Sequence, residues 1–160
     1  MTAAIACPQA ASSELRAIAY HEAGHVVVGI RLGLEVLDSD IERDGEGGRG
    51  HTHFAPADAA DRGQVERVIT TFMAGFAAEI KLGSADPQGS WYDVDLLLRQ
   101  WLAYLEPDPR RRPGLVRLFL ARAQSELEAP GVWAAVEAVA SALLNDVRLD
   151  GPRARDLATA

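Results

Sequence analysis

The chain has 160 residues, a length that suits one domain able to bury roughly two thirds of its unfolded surface. Hydrophobic residues make up 48% and charged residues 24%, a composition that argues against a disordered or fibrous protein. The net charge of −7 argues against binding to a nucleic-acid backbone, and the one basic cluster, residues 110–112, lies between prolines, where we expect a solvated loop.

Residues 1–11 are rich in alanine and lack a hydrophobic period, so we expect a flexible N-terminal tail before a single domain over residues 12–160. Cys7 is the only cysteine, which excludes an intramolecular disulfide and favours a reducing compartment, the cytoplasm. The longest uncharged runs, 1–13 and 68–78, are shorter than the roughly 20 apolar residues of a spanning helix, and the first lacks the positive charge of a signal peptide. We therefore expect no membrane partner.

Apolar residues recur at spacings of three and four from Ser12 or Ser13 to near Gly33, which predicts the first helix. A strand in LEVLDSDI, a flexible loop in ERDGEGGRG and a short strand in HTHF then predict a hairpin. Further helices are predicted from Asp58 or Asp61 to near Gly83, from about Tyr92 to Leu105, over about 113–128 and 131–148, and in a last short segment capped by Asp150. The fold class is mainly α (α+β), with a small β-hairpin and a C-terminal helical bundle.

The first helix carries His21, Glu22 and His25 in its apolar middle, in the pattern His-Glu-x-x-His. Residues four apart share a helix face, so both imidazoles can bind one ion, and this spacing suits Zn²⁺. Glu22 lies about 100° around the helix axis, where its carboxylate can act as a general base on a water beside the metal. The alternative is a pair of hydrogen-bonded core histidines beside a buried glutamate.

Five motifs follow one another along residues 15–158: AYHEAGHVVVG, DGEGGRGHTHF, AGFAAEIKLG, SWYDVDLL and VASALLNDVRLDG. Their order resembles the C-terminal peptidase domain of the FtsH-type ATP-dependent zinc metalloproteases. The resemblance implies a helical zinc-metallopeptidase domain that hydrolyses polypeptides, with His21 and His25 as metal ligands and Glu22 as the catalytic general base.

In that family an aspartate from a segment ending in Asn-Asp-hydrophobic is the third zinc ligand. Asp93 is the best match in this chain and Asp95 the second choice, with Tyr92 in place of the asparagine. A structural alternative for Asp93 is the capping-box pattern that begins at Ser90.

The resemblance also implies roles around the metal. Glu79 is expected to face the site and to hydrogen-bond an imidazole, the alternative being a solvated helix residue. The predicted strand His51, Thr52, His53 and Phe54 corresponds to the edge strand that pairs with an extended substrate, the alternative being ordinary strand histidines.

The chain departs from the family in lacking the phosphate-binding motif G-x-x-x-x-G-K-[ST] and hydrophobic anchors. We therefore expect hydrolysis of flexible polypeptides without ATP, or a partner motor or adaptor in trans; the oligomeric state is left open. Two other functions remain: a non-catalytic peptide-binding or scaffolding module, and a regulatory peptidase with one dedicated substrate.

Overall fold

The computed structural model describes residues 12–44, 47–84 and 90–160, without the side chains of residues 44, 47 and 90–95. The predicted tail, residues 1–11, lies outside this part of the chain. The elements in chain order are α1 Ser13–Arg31, β1 Val36–Asp44, β2 Gly47–Phe54, α2 Arg62–Leu82, α3 Ser90–Leu105, α4 Arg112–Glu128, α5 Val132–Asp146, β3 Arg148–Asp150 and α6 Gly151–Thr159. The protein is mainly helical with a small antiparallel sheet, which confirms the α+β class.

Polar caps define the starts of three helices. The side chains of Ser12, Asp61 and Asp150 each accept a hydrogen bond from the backbone N–H three residues later, at 3.2, 3.1 and 2.8 Å. Gly83 ends α2 in the left-handed conformation, at φ 78°, which a residue without a Cβ adopts at little cost. These boundaries confirm the helices predicted from residues 12 or 13 and from Asp61.

The two long helices α1 and α2 form the centre of the core. Helix α4 packs mainly on α2, and α5 packs mainly on α1. These two helices therefore pack more on the central pair than on each other, and the predicted C-terminal bundle stays a prediction. Among the described residues no single helix is long and apolar enough to cross a membrane; α4 and α5 pass that test only as a pair, bent by 91°.

The hairpin is longer than predicted. Strands β1 and β2 pair in antiparallel register from Val36 opposite Phe54 to Asp44 opposite Gly47, so most of the predicted flexible loop is strand. A Cβ on Gly48 would lie 2.6 Å from the Glu42 carbonyl oxygen. Gly48 therefore permits close packing inside the sheet. The prediction of a flexible loop took the glycines of this segment as a sign of flexibility and missed that role.

A third strand was not predicted. Helix α5 ends at Asp146 instead of 148, Val147 takes a positive φ of 67°, and β3 pairs with β1 through Leu149 opposite Ser39. The strand order is β2-β1-β3, so β2 lies at an edge of the sheet. Three residues are too few to show a period, which explains why periodicity did not reveal β3.

Candidate metal centre

The centre lies where α1 crosses α2 at very short range. A Cβ on Gly24 would lie 2.5 Å from the Ala74 carbonyl oxygen and 3.0 Å from the Ala78 Cβ, so only glycine fits this crossing. The close approach brings one face of α1, with His21 and His25, directly onto the backbone of α2 at Gly75. A glycine in a helix interior costs about 1 kcal/mol relative to alanine, and this contact explains its presence in α1.

Both imidazoles are held by α2 through the same ring atom. His25 Nδ1 donates to the Thr71 carbonyl oxygen at 2.8 Å, and His21 Nδ1 pairs with the Glu79 carboxylate. Because a carbonyl oxygen can only accept, the proton of neutral His25 is on Nδ1 and the lone pair is on Nε2. The two rings stand edge to face, with centroids 4.5 Å apart.

The two Nε2 atoms converge over Gly75. A Cβ at position 75 would lie 2.6 Å from His21 Nε2 and 2.7 Å from His25 Nε2, so the missing side chain leaves room for the nitrogen atoms. Ligand atoms of His21, Glu22 and His25 all lie within 4.8 Å of one another. Two imidazole nitrogen atoms beside a carboxylate are a donor set that suits Zn²⁺, so these residues fit that ion.

Burial keeps His25 neutral. Its environment lowers the pKa of His25 to about 3, chiefly because desolvation disfavours the imidazolium and secondly because of the nearby His21 charge. The hydrogen bond to Thr71 opposes this shift. A neutral imidazole is the form that binds a metal ion, so His25 is ready to act as a ligand at neutral pH.

Glu22 is buried between α1 and the edge strand, with 4% of its surface exposed. The Thr52 hydroxyl donates to Glu22 Oε2 at 2.7 Å, and since that uses its proton, the Ser39 hydroxyl donates to Thr52 Oγ1 at 2.9 Å. A Cβ on Gly50 would lie 2.5 Å from Glu22 Cγ, so this glycine makes room for the side chain. Desolvation raises the pKa of Glu22, with the nearby His21 and the Thr52 hydrogen bond opposing the rise.

A cleft of about 610 Å³ opens over this group. One wall is β2, including His51, Thr52, His53 and Phe54, and α3 contributes Leu97 from the other side. Leu97 is 51% exposed. The structure thus confirms that residues 51–54 belong to an edge strand, and this strand lines the same cleft as His21 and His25. Its pairing with a peptide stays a prediction.

The structure therefore brings together His21, Glu22, His25, Thr52 and Glu79. His51 and His53 instead face Asp40 and Asp38 on β1, with Nδ1–Oδ1 distances of 3.6 and 2.7 Å. The side chains of Asp93 and Asp95 lie outside the described residues, so the choice of third ligand stays a prediction.

Among the contributors that sequence reasoning did not identify are the Thr71 carbonyl, Gly75 as the space beneath the imidazoles, and Ser39. A backbone carbonyl leaves no trace in residue type, and Ser39 resembles any strand serine. Gly75 offered the one usable signal, because a glycine in the interior of an apolar helix is costly and often marks a close approach.

Comparisons with known proteins give one partial similarity. No family model matches the chain. Over 71 residues, 41% of this chain, it is 41% identical to the ATP-dependent zinc metalloprotease FtsH of Mycoplasma mobile. The aligned stretch covers 10% of that protein, so the chain spans only a small part of its relative. The similarity is weak and partial, and it suggests a relationship to a zinc metalloprotease.

Proposed function

We propose that this protein is a zinc-dependent endopeptidase that hydrolyses peptide bonds in unfolded or flexible polypeptides. The observation that carries the proposal is the convergence of His21 Nε2 and His25 Nε2 beside the buried carboxylate of Glu22, at the floor of an open cleft. Hydrogen-bonded core histidines alone would not require their two remaining nitrogen atoms to meet over a glycine.

His21 and His25 would hold the zinc ion through Nε2, and Asp93 is the third ligand that we favour. Position 93 precedes Leu97 by four residues on α3, and Leu97 lines the cleft. Positions four apart share a helix face, whereas position 95 is two residues from Leu97 and lies on the opposite side of the helix. A bound zinc ion supplies a Lewis acid that lowers the pKa of water to about 7 and polarises a peptide carbonyl.

Glu22 is the residue that moves the proton. Its carboxylate accepts a proton from the attacking water and returns it to the leaving amine, which is general acid–base catalysis by one positioned group. Thr52 and Ser39 orient this carboxylate through their two hydrogen bonds. Glu79 holds the His21 ring through Nδ1, so that its Nε2 keeps facing the cleft.

The edge strand suggests how a polypeptide is held. Within the part of the chain that the structure describes, strand β2 has β1 on one side only, so an extended peptide can add to its other edge by main-chain hydrogen bonds. Such pairing requires an extended segment and does not depend on its side chains. The substrates that we expect are therefore unfolded chains, tails or loops, delivered where needed by a motor or adaptor in trans.

Replacing Glu22→Gln tests the role of the carboxylate. The amide is nearly isosteric and cannot take a proton, so we expect zinc to stay bound while cleavage of fluorescently labelled unfolded casein falls by about 10²–10⁴. The matched control is Glu14→Gln, an exposed residue in the first turn of the same helix, which should leave both properties unchanged. Unchanged turnover in the Glu22 variant would remove it from the mechanism.

The same assay separates the alternatives. Zinc-loaded protein that binds peptides and cleaves none is a peptide-binding module, and the endopeptidase proposal then fails. Cleavage at one bond of one protein, with casein left intact, indicates a dedicated regulatory peptidase.

The third ligand is tested by metal analysis after Asp93→Ala and Asp95→Ala. We expect the first replacement to lower zinc affinity by more than about tenfold, since even outer-shell partners contribute about 10–100-fold, and the second to leave it unchanged. The two variants serve as controls for each other, and the reverse result would assign the ligand to Asp95.

A further inference from the structure

A second group of metal-binding side chains, Asp38, Asp40 and His53, lies outside the proposed catalytic group, and His51 stands beside it. The outer cluster consists of His51 and His53 on β2 and Asp38 and Asp40 on β1. In the sheet register His53 lies opposite Asp38, and His51 lies opposite Asp40. Directly opposed residues point to the same face of a sheet, so the ladder presents two imidazoles and two carboxylates together.

The ligand atoms of the outer cluster are already close. His53 Nδ1 lies 2.7 Å from Asp38 Oδ1, and His51 Nδ1 lies 3.6 Å from Asp40 Oδ1. The two rings are parallel, with centroids 6.2 Å apart, and ligand atoms of Asp38, Asp40 and His53 lie within 4.8 Å of one another. Zinc holds nitrogen and oxygen ligands at about 2.0–2.2 Å, so Asp38, Asp40 and His53 are close enough together to share one ion.

A buried oxygen gives a second, independent indication. Among the described residues, Asp40 Oδ1 is the buried side-chain polar atom that has no hydrogen-bond partner. His51 Nδ1, at 3.6 Å, is too far away to donate a hydrogen bond to it. A carboxylate oxygen withdrawn from water without a hydrogen bond is costly, and a cation bound to it would remove that cost. Arg148 Nη2 contacts the outer oxygen of Asp38, Oδ2, at 3.3 Å and leaves Asp38 Oδ1 facing His53.

We propose that the outer cluster binds a second divalent transition-metal ion, of the Zn²⁺ class, independently of the ion at His21 and His25. Mixed imidazole and carboxylate ligands suit Zn²⁺, Ni²⁺ and Cu²⁺ rather than Mg²⁺ or Ca²⁺. The ion takes the place of the proton between His53 Nδ1 and Asp38 Oδ1, and that proton passes to solvent. The outer site is the weaker of the two, because His51 and His53 are 52% and 59% exposed.

Metal stoichiometry tests the second site without an activity assay. Zn²⁺ is titrated into the untagged full chain carrying Cys7→Ser, so that the thiol does not contribute, and binding is followed by calorimetry and native mass spectrometry. We expect two ions of different affinity. In the same background, the double variant His51→Ala, His53→Ala should bind the tighter ion normally and the weaker ion with an affinity lowered by more than about tenfold. The variant His21→Ala should instead lose affinity for the tighter ion and bind the weaker ion normally.

Further variants keep the test decisive. Asp40→Asn should also weaken the second ion, while Asp108→Asn, on the exposed α3–α4 connection, should not. The proposal is overturned if the Cys7→Ser chain binds no more than one ion even at millimolar Zn²⁺. It is also overturned if a second ion still binds with unchanged affinity after His51 and His53 are replaced. Either result would leave the catalytic proposal standing. Conversely, if the protein does not hydrolyse peptides, the number of bound ions can still be measured.

Discussion

At position 75 the missing side chain shapes the candidate metal centre as much as the two histidines do. The Nε2 atoms of His21 and His25 lie 2.6 and 2.7 Å from the position that a Cβ would take, too close for a side chain to fit. Their Nδ1 atoms are tied to Glu79 and Thr71, so the rings cannot turn away without breaking those contacts. The positions of the two nitrogen donors thus depend on a glycine at position 75, a residue that is not part of the His-Glu-x-x-His motif.

Gly75→Ala should therefore reduce zinc binding while the fold persists. We expect the added methyl group to push the two Nε2 atoms apart and lower zinc affinity by more than about tenfold, measured by competition with a chromophoric chelator. Gly63→Ala is the matched control in the first turn of the same helix, where the nearest atom to a Cβ is the end of the Asp61 side chain at 3.2 Å. Equal affinities in the two variants would show that the nitrogens do not converge on one ion.

At the scale of elements, the crossing of α1 and α2 positions the site. His21, Glu22 and His25 come from α1, their partners Thr71 and Glu79 come from α2, and the edge strand adds Thr52. The helices can approach this closely because Gly24 faces the Ala74 carbonyl oxygen. The same crossing therefore supports the core and the candidate centre.

Gly24→Ala should separate the helices. A Cβ 2.5 Å from a backbone oxygen cannot be relieved by a side-chain rotation, so we expect a loss of about 1–3 kcal/mol in the free energy of unfolding, measured in urea. Zinc affinity should fall with it, because the two histidines move relative to Gly75. Gly114→Ala in α4 meets open space and should be neutral or stabilising; similar losses in both variants would refute the close crossing.

At the scale of the whole molecule, the fold buries ionisable side chains at the floor of the cleft, among them Glu22, His25 and Glu79. The cost of burying these groups is tolerated because His21, Glu22 and His25 each have a hydrogen-bond partner on another element. The unfolded chain has no such constraint, so its groups titrate normally. Folding stability is therefore coupled to pH through this site.

The metal-free protein should lose stability in acid partly through His25. Between about pH 6.5 and pH 3 the unfolded chain protonates this imidazole and the folded chain does not, so the free energy of unfolding falls as pH falls. The slope from this group is at most about 1.4 kcal/mol per pH unit. His25→Gln should lose that slope in urea titrations with a chelator present. Glu22, whose pKa is raised, changes stability with pH in the opposite direction, but it is present in both proteins and does not affect their difference. Parallel pH profiles of the two proteins would therefore contradict a neutral buried His25.

The sequence by itself determined the helices and the donor pair. Periodicity and the caps at Ser12, Asp61 and Asp150 are local, and the spacing of His21 and His25 puts two imidazoles on one face of any helix. Such signals are readable because they arise from residues within one or two turns.

Only the tertiary structure decided how those donors are held. The contacts of His21 with Glu79 and of His25 with Thr71 span 58 and 46 residues. The strand role of the glycine-rich segment and the existence of β3 likewise follow from what packs or pairs opposite them. Residue type states which groups can bind a metal, whereas the distance and direction between distant groups arise from packing, and packing exists only once the whole chain has folded.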